Sequence, residues 1–285
     1  MQLKIWLVLA LFLLIAWVSK LVYGKIQRAG LVVVTYNIRY DTAKDGTNAW
    51  PHRKRRLIGE LMSHQPAIIG MQEVLHHQLQ DVKELLPARF KYSGVGRDDG
   101  ANQGEYAPIW YDSTLFELQQ QGTFWLSDTP TAPSKGWDAA LPRICTWVAL
   151  KHLRDGRQLW VFNTHLDHQG IVAREKSTAL IAEMAAAIPD HPPVLLLGDF
   201  NSTPQEAPHQ VLQNEGWLDA RATAEKREGP IGTFPDFDGK RPEKRIDFLY
   251  YKNLPPPFIY IVDGSPDRQP PFASDHSAVV VGFPW

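Results

Sequence analysis

Residues able to do metal or phosphate chemistry recur where apolar runs stop. Asn37 follows the run Leu31 to Thr35, and Glu73 follows Ala67 to Met71. His165, Asp167 and His168 follow Val161 to Thr164, and Asp199 and Asn201 follow Leu195 to Gly198. Asp247 lies just inside Ile246 to Tyr251, and Asp275 and His276 immediately precede Ser277 to Phe283. Carboxylates are hard oxygen ligands suited to Mg²⁺ or Mn²⁺. Histidines beside carboxylates suit proton transfer. Singly, each residue has an ordinary structural use. Asn37 serves a turn, Glu73 caps a helix, Asp199 and Asn201 make an Asx turn, and His276 is a satisfied core histidine. Turn punctuation does not account for the whole set at strand ends.

These positions need elements to carry them. Leu31 to Thr35, Ala67 to Met71 and Val194 to Leu197 read as buried strands. Ala107 to Tyr111, Ile246 to Tyr251, Phe258 to Val262 and Ser277 to Phe283 read as further strands. Cys145 to His152 and Gln158 to Thr164 flank Arg154-Asp155-Gly156-Arg157, a hairpin signal. Helices are predicted over 52–64, 75–86 and 173–188, the second from Leu75, Leu79, Val82 and Leu86 at helical spacing. The basic start of the first, Arg53 to Arg56, reads as a solvated face. Strands and helices alternate in the first half and over 170–215, with hairpin-like pairs between. The mixture predicts an α/β fold, a four-layer α/β/β/α sandwich of two mixed sheets. Its ligand cleft is expected at the strand ends. Segments 127–143, 229–243 and 264–273 read as long surface loops, of the kind that often carry function.

The blocks TYNIR (35–39), MQEV (71–74), NTHLD (163–167), GDFNSTP (198–204), RIDFLY (245–250) and SDHSAVV (274–280) stand in an order that resembles the endonuclease/exonuclease/phosphatase superfamily. The resemblance covers roughly residues 31 to 285, a DNase I-like catalytic domain. Further segments, RYDTAKDGTNAW (39–50), GVGRDDG (94–100), GEYAPIWY (104–111), GTFWLS (122–127) and KGWDAALPRICTW (135–147), resemble a bacterial branch similar to the deadenylase and nocturnin-like members. The resemblance implies metal-dependent phosphoester hydrolysis with Mg²⁺ or Mn²⁺. Glu73 is the implied main metal ligand, with Asn37 and Asp275 in the same region. His276 would deprotonate the attacking water or hold a phosphoryl oxygen, and Asp247 would orient it. Asp199 would assist the leaving group or the water, and Asn201 and His165 would contact phosphate. The division of acid and base duties between Asp199 and His276 is open at this level. Glu105, Arg143 and Arg174 are candidate substrate contacts, with Arg143 as a bidentate clamp or a surface arginine. Trp50, Trp125 and Trp137 fall in loop-like segments, as base or sugar platforms or core covers. His76, His77 and His168 lack zinc-ligand spacing and read as peripheral.

Composition narrows the substrate. Thirty basic against 31 acidic residues give a net charge of −1, so no global field gathers nucleic acid. Cys145 is the sole cysteine, which excludes intramolecular disulfides and thiolate clusters. Lys4 precedes an apolar run, Ile5 to Val18. A positive start and a short apolar stretch suit a cleaved export signal or an anchor within residues 1–24. The expected protein is therefore exported, touching a membrane through that segment if it is uncleaved. The expected substrate is a small-molecule or membrane-proximal lipid or sugar phosphoester. A nuclease acting on RNA or DNA is the alternative, and a non-catalytic binding protein that kept the fold is the alternative of another class.

Overall fold

The computed structural model describes residues 30–238, 242–263 and 270–285. The expectation for residues 1–24 and much of the 264–273 loop lie outside these ranges. In chain order the strands are β1 (Leu31–Asn37), β2 (Ile68–Gln72), β3 (Phe90–Ser93), β4 (Ile109–Asp112), β5 (Phe116–Trp125), β6 (Ile144–His152) and β7 (Gln158–His165). They continue with β8 (Val194–Asp199), β9 (Leu218–Asp219), β10 (Lys226–Glu228), β11 (Asp247–Lys252), β12 (Ile259–Asp263) and β13 (Ala278–Phe283). The α-helices are α1 (Trp50–Ser63), α2 (His76–Leu85), α3 (Ile171–Ala186), α4 (Ala207–Asn214) and α5 (Ala220–Thr223).

Among the described residues the strands form two mixed sheets. One runs β10-β12-β13-β1-β2-β4-β3 and the other β5-β6-β7-β8-β11-β9. The alternation of side chains along each strand sorts the core. Leu31, Val33 and Ile68 of the first sheet meet Val161, Leu195 and Leu249 of the second in the interior. Val32, Val34 and Ile69 face the other way, onto Leu57 and Leu61 of α1 and Leu79 and Val82 of α2. Phe162, Leu196 and Phe248 cover the second sheet's outer face against Ile181 of α3 and Leu212 of α4. This is the expected four-layer α/β/β/α sandwich.

A polar pin crosses the interior. The Asn163 amide donates to the carbonyls of Met71 (2.8 Å) and Pro108 (2.9 Å), and its oxygen accepts from Gln72 (2.7 Å). Gly70 leaves room for it, since a β-carbon there would lie 2.8 Å from Asn163 Oδ1. The pin joins β2 to β7 just below the ends that carry Glu73 and His165.

Two local expectations are corrected. The basic start of α1 is not wholly solvated, because Arg53 is completely buried. Its guanidinium donates to the carbonyls of Asn48, Arg39 and Ala273 at 2.7 to 2.9 Å. It thus ties together the loops that carry Arg39 and Asp275. The loop-like setting of the tryptophans also changes. Trp50 begins α1 and donates to Asp81, and Trp125 ends β5 and donates to Arg97 O; both are buried. Trp137, half-buried, donates to Asp128.

Candidate active site

Sheet register brings the site together. In the second sheet His165 pairs with Asp199, and Asp199 with Asp247, so three neighbouring strands present functional side chains at one level. In the first sheet Asn37 ends β1 beside Gln72, and Glu73 follows directly. Asp275 and His276 enter just ahead of β13. Three residues here hold left-handed backbone, Arg39 (φ 59°), Glu73 (φ 61°) and Asn201 (φ 46°). Such strain in non-glycine residues persists where surrounding contacts enforce it, commonly at functional sites.

Asn37 bridges the sheets, donating from Nδ2 to Glu73 Oε1 (3.0 Å) and Asp199 Oδ2 (2.9 Å). Its Oδ1 accepts from the Arg39 amide. Glu73 Oε2 accepts from the Tyr40 amide at 3.0 Å, so this carboxylate faces the site rather than capping α2. His276 Nδ1 lies 2.9 Å from Asp247 Oδ2, and its Nε2 lies 3.7 Å from Asp199 Oδ2. The Thr233 hydroxyl accepts from the Asp247 amide, and the Phe234 ring packs 4.9 Å from His276. Asn201 Nδ2 sits 2.9 Å from His165 Nε2 and donates to Leu166 O. Because that amide is a donor, His165 keeps its proton on Nδ1, which lies 3.5 Å from Glu105.

Burial and mutual charge set the protonation balance. Burial would lower the His276 pKa, but Asp247, Asp199 and Asp275 outweigh it and hold it well above the usual histidine value. Asp247 is pushed up to about 6 by complete burial and by Asp199, against the pull of His276. Asp275 is raised by burial and by the charge of Glu73. Glu105 is held at about 2, because His165, Arg97 and Arg143 overcome its burial.

The side chains converge on a cleft of about 690 Å³. Glu73, Glu105, Arg143, His165, His168, Asp199, Asn201, Asp275 and His276 line it; Asn37 and Asp247 stand behind them, fully buried. Arg143 is no surface arginine. It is buried, with Nε 3.2 Å from Asp167 and Nη2 3.0 Å from His168. Asp167 is itself held by the amides of Ala140, Gln169 and Gly170. Arg143 Nη1 has no partner among the described residues. Arg174 is corrected as a substrate contact. It does not line the cleft, and its guanidinium is engaged by Asp167 O and Glu206. Glu105 has Arg97 at 2.8 Å as well as His165, an arrangement that orients the imidazole. His76 pairs with Tyr106, and His77 with Asp41. Sequence reasoning gave no role to Arg39, Thr233 and Phe234. Arg39 was within reach, since it closes the TYNIR block and here pairs with Asp45 and Asp275.

The donor set suits a hard divalent cation. Ligand atoms of Glu73, His165 and Asp199 lie within 4.8 Å of one another. Burial and the negative charge of Glu73 both raise the Asp275 pKa. A cation relieves that repulsion.

Fold and site together define a phosphoester hydrolase. The model of the Endonuclease/Exonuclease/phosphatase family matches residues 34–276, and the chain belongs to that family. Its members hydrolyse phosphoesters and generally depend on a divalent metal. The chain is similar to an endonuclease/exonuclease/phosphatase from Bacteroides vulgatus, with 34% identity, a TM-score of 0.84, and coverage of 88% of this chain and 97% of that one. It is equally similar to the mannosyl-6-phosphatase of Bacteroides thetaiotaomicron, at 34% identity, a TM-score of 0.82, and coverage of 88% and 98%. Nocturnin of Drosophila melanogaster is 27% identical over 171 residues, 55% of this chain and 25% of nocturnin. The curated relatives matched are covered over 25% to 59% of their own length.

Proposed function

We propose that this protein is a phosphatase that hydrolyses the phosphate ester of a small polar molecule, such as a sugar phosphate, with Mg²⁺ or Mn²⁺. The observation that carries the reading is the meeting of Glu73, Asp199, His165 and His276 at the floor of one bounded cleft. The likeness to the mannosyl-6-phosphatase over nearly all of both chains supports a sugar phosphate. Glu73 would hold the cation, with Asn37 and Asp275 beside it. When bound, the cation would neutralise phosphoryl charge and so admit a nucleophile.

The protein's own groups supply the rest. Asn201 holds His165 at the cleft floor through the hydrogen bond between them, the one that a phosphoryl oxygen would replace, and the strained turn at Asn201 fixes its direction. Arg143, fixed by Asp167, presents a cation on the cleft wall without having to be ordered on binding. His276 exchanges a proton with the attacking water, and Asp247 fixes its tautomer and stabilises the imidazolium. Asp199, within reach of both imidazoles, assists the leaving oxygen. Leu141 and Phe234 give the cleft apolar walls.

Metal-supplemented turnover of mannose 6-phosphate, bis-p-nitrophenyl phosphate, single-stranded RNA and duplex DNA tests the reading. The sugar monoester is expected to have the highest kcat/KM. Efficient cleavage of RNA or DNA with negligible sugar phosphate hydrolysis would establish a nuclease instead.

A further inference from the structure

The strand that delivers Asn37 to the cleft starts at the opposite end of the sandwich. β1 spans seven residues, so Gly30 stands about 20 Å from the site at the usual rise per residue. A β-carbon on Gly30 would lie 2.8 Å from the Trp285 carbonyl, so the start of β1 and the C-terminal tryptophan touch. The Arg157 guanidinium lies 4.3 Å above the Trp285 ring, and His152 lies edge-on to it at 5.8 Å. The tip of the β6–β7 hairpin projects Leu153, 54% exposed, beside Leu115, 39% exposed; the Leu153 amide donates to Leu115 O. Arg154 is exposed on the same tip, and the Arg89 carbonyl accepts from Ser113, two residues before Leu115. Glu117, exposed on β5, stands opposite Lys151 in the sheet register. Asp155 is paired with Arg157 and His152, and Asp112 with Arg89.

We infer that this pole is a docking surface for an anionic lipid bilayer, and that the cleft opens on the far side, away from it. Two independent features name the occupant. One is the pole itself, where protruding leucines and a tryptophan sit among arginines, the combination that suits a headgroup boundary. The other is the sequence that leads to it. The apolar run Ile5 to Val18 ends twelve residues before Gly30, and Lys20, Lys25 and Arg28 lie between. Basic residues next to an apolar segment favour anionic lipid. The described fold begins at Gly30, so a bilayer that takes up the run is tethered at that pole. The substrate then arrives from solution, which disfavours a lipid headgroup in the anchoring membrane. The inference holds whichever soluble phosphoester is cleaved.

Fluorescence quenching in the full-length chain tests it. The one native cysteine, Cys145, is completely buried, so L153C and I171C can each be labelled singly with an environment-sensitive dye. Ile171, 65% exposed, begins the helix after β7 and marks the cleft end. Vesicles of phosphatidylglycerol and phosphatidylethanolamine carrying a nitroxide lipid supply the quencher. The label at 153 should be quenched at least about twofold more than the label at 171, as contact with the boundary requires. R154E should reduce that quenching on these vesicles and leave it unchanged on phosphatidylcholine vesicles. Equal quenching at the two sites, stronger quenching at 171, failure of the chain to sediment with vesicles, or an R154E variant quenched like its parent on the anionic vesicles would each overturn the inference.

Discussion

Single residues carry the chemistry, and their substitutions separate roles. His276 and Asp247 act as one unit 2.9 Å apart. H276A should lower kcat about a hundred- to ten-thousand-fold, the range for a lost acid–base group. D247N should cost a similar factor, and the double variant little more than the worse single, because members of a unit are not additive. Full additivity in that cycle would break the pairing. The sign of the pH effect is also fixed. Asp247 raises the His276 pKa, so its loss in D247N should move the limb of the rate profile that belongs to His276 to lower pH. An unmoved or alkaline-shifted limb would contradict the assignment. At this scale the sequence was most informative where chemistry leaves no substitute. Glu73, Asp199, Asp247 and His276 stand out because hard ligands and a dyad are needed at strand ends. Arg53 was misread because Arg53, Lys54, Arg55 and Arg56 look alike as a charge run. The signal that separates them was present, since Arg53 lies four residues before Leu57 and eight before Leu61, on the buried face of α1.

Elements hold those residues in place, and α4 does so through a buried histidine. His209 Nδ1 meets the Tyr250 hydroxyl at 2.8 Å, and its Nε2 meets Ser202 Oγ at 2.9 Å, directly after Asn201. Nε2 also faces the Ser202 carbonyl, which can only accept. The ring is therefore protonated at Nε2 and accepts from Tyr250. Burial lowers its pKa to about 4. The unfolded chain, with the ordinary histidine pKa, binds the proton more tightly. The resulting stability is present above about pH 6.5 and disappears as pH falls toward 4, an effect of about 3 kcal/mol. H209Q should be less stable than the parent at pH 7, with the gap in urea-unfolding free energy narrowing at pH 4.5; a gap that stays constant would exclude this coupling. N163A should cost about 3 kcal/mol in the same assay, since it removes three buried hydrogen bonds, those to Met71 O and Pro108 O and the one from Gln72. A loss below about 0.5 kcal/mol, as for an ordinary surface change, would deny the pin its role. The elements missed in the sequence have a common cause. β5, FELQQQGTFW, is an edge strand with an exposed face, so its glutamines hide the alternation that marks a strand. α4 is eight residues with proline in its first turn, too short for a clear period.

At the scale of the molecule, the sandwich separates two ends. Strand termini at one end gather carboxylates and imidazoles around a cleft, while the other end carries the arginines and leucines near Gly30. The sandwich and its order were legible because buried strands and helices alternate in a recognisable sequence. The polarity of the molecule was not, because it depends on which strand end each loop meets. Among the described residues few free cations border the cleft. Arg39 and Arg143 are paired, and Lys244 is exposed. Duplex binding that neutralises six or more phosphates loses about a thousand-fold in affinity between 50 and 200 mM salt. Here KM for the cleaved substrate should change by less than about tenfold over that range. A steeper dependence would place an extended polyanion in the cleft.

The central claim is that Glu73 anchors a divalent cation on which phosphoester hydrolysis depends. The most direct test is the rate of mannose 6-phosphate hydrolysis by EDTA-treated protein as Mg²⁺ or Mn²⁺ is restored, in parent and E73Q. The parent should regain activity with added metal. E73Q should stay inactive while remaining folded. Parent activity that survives removal of metal, or an E73Q variant that responds to metal like the parent, would contradict the account.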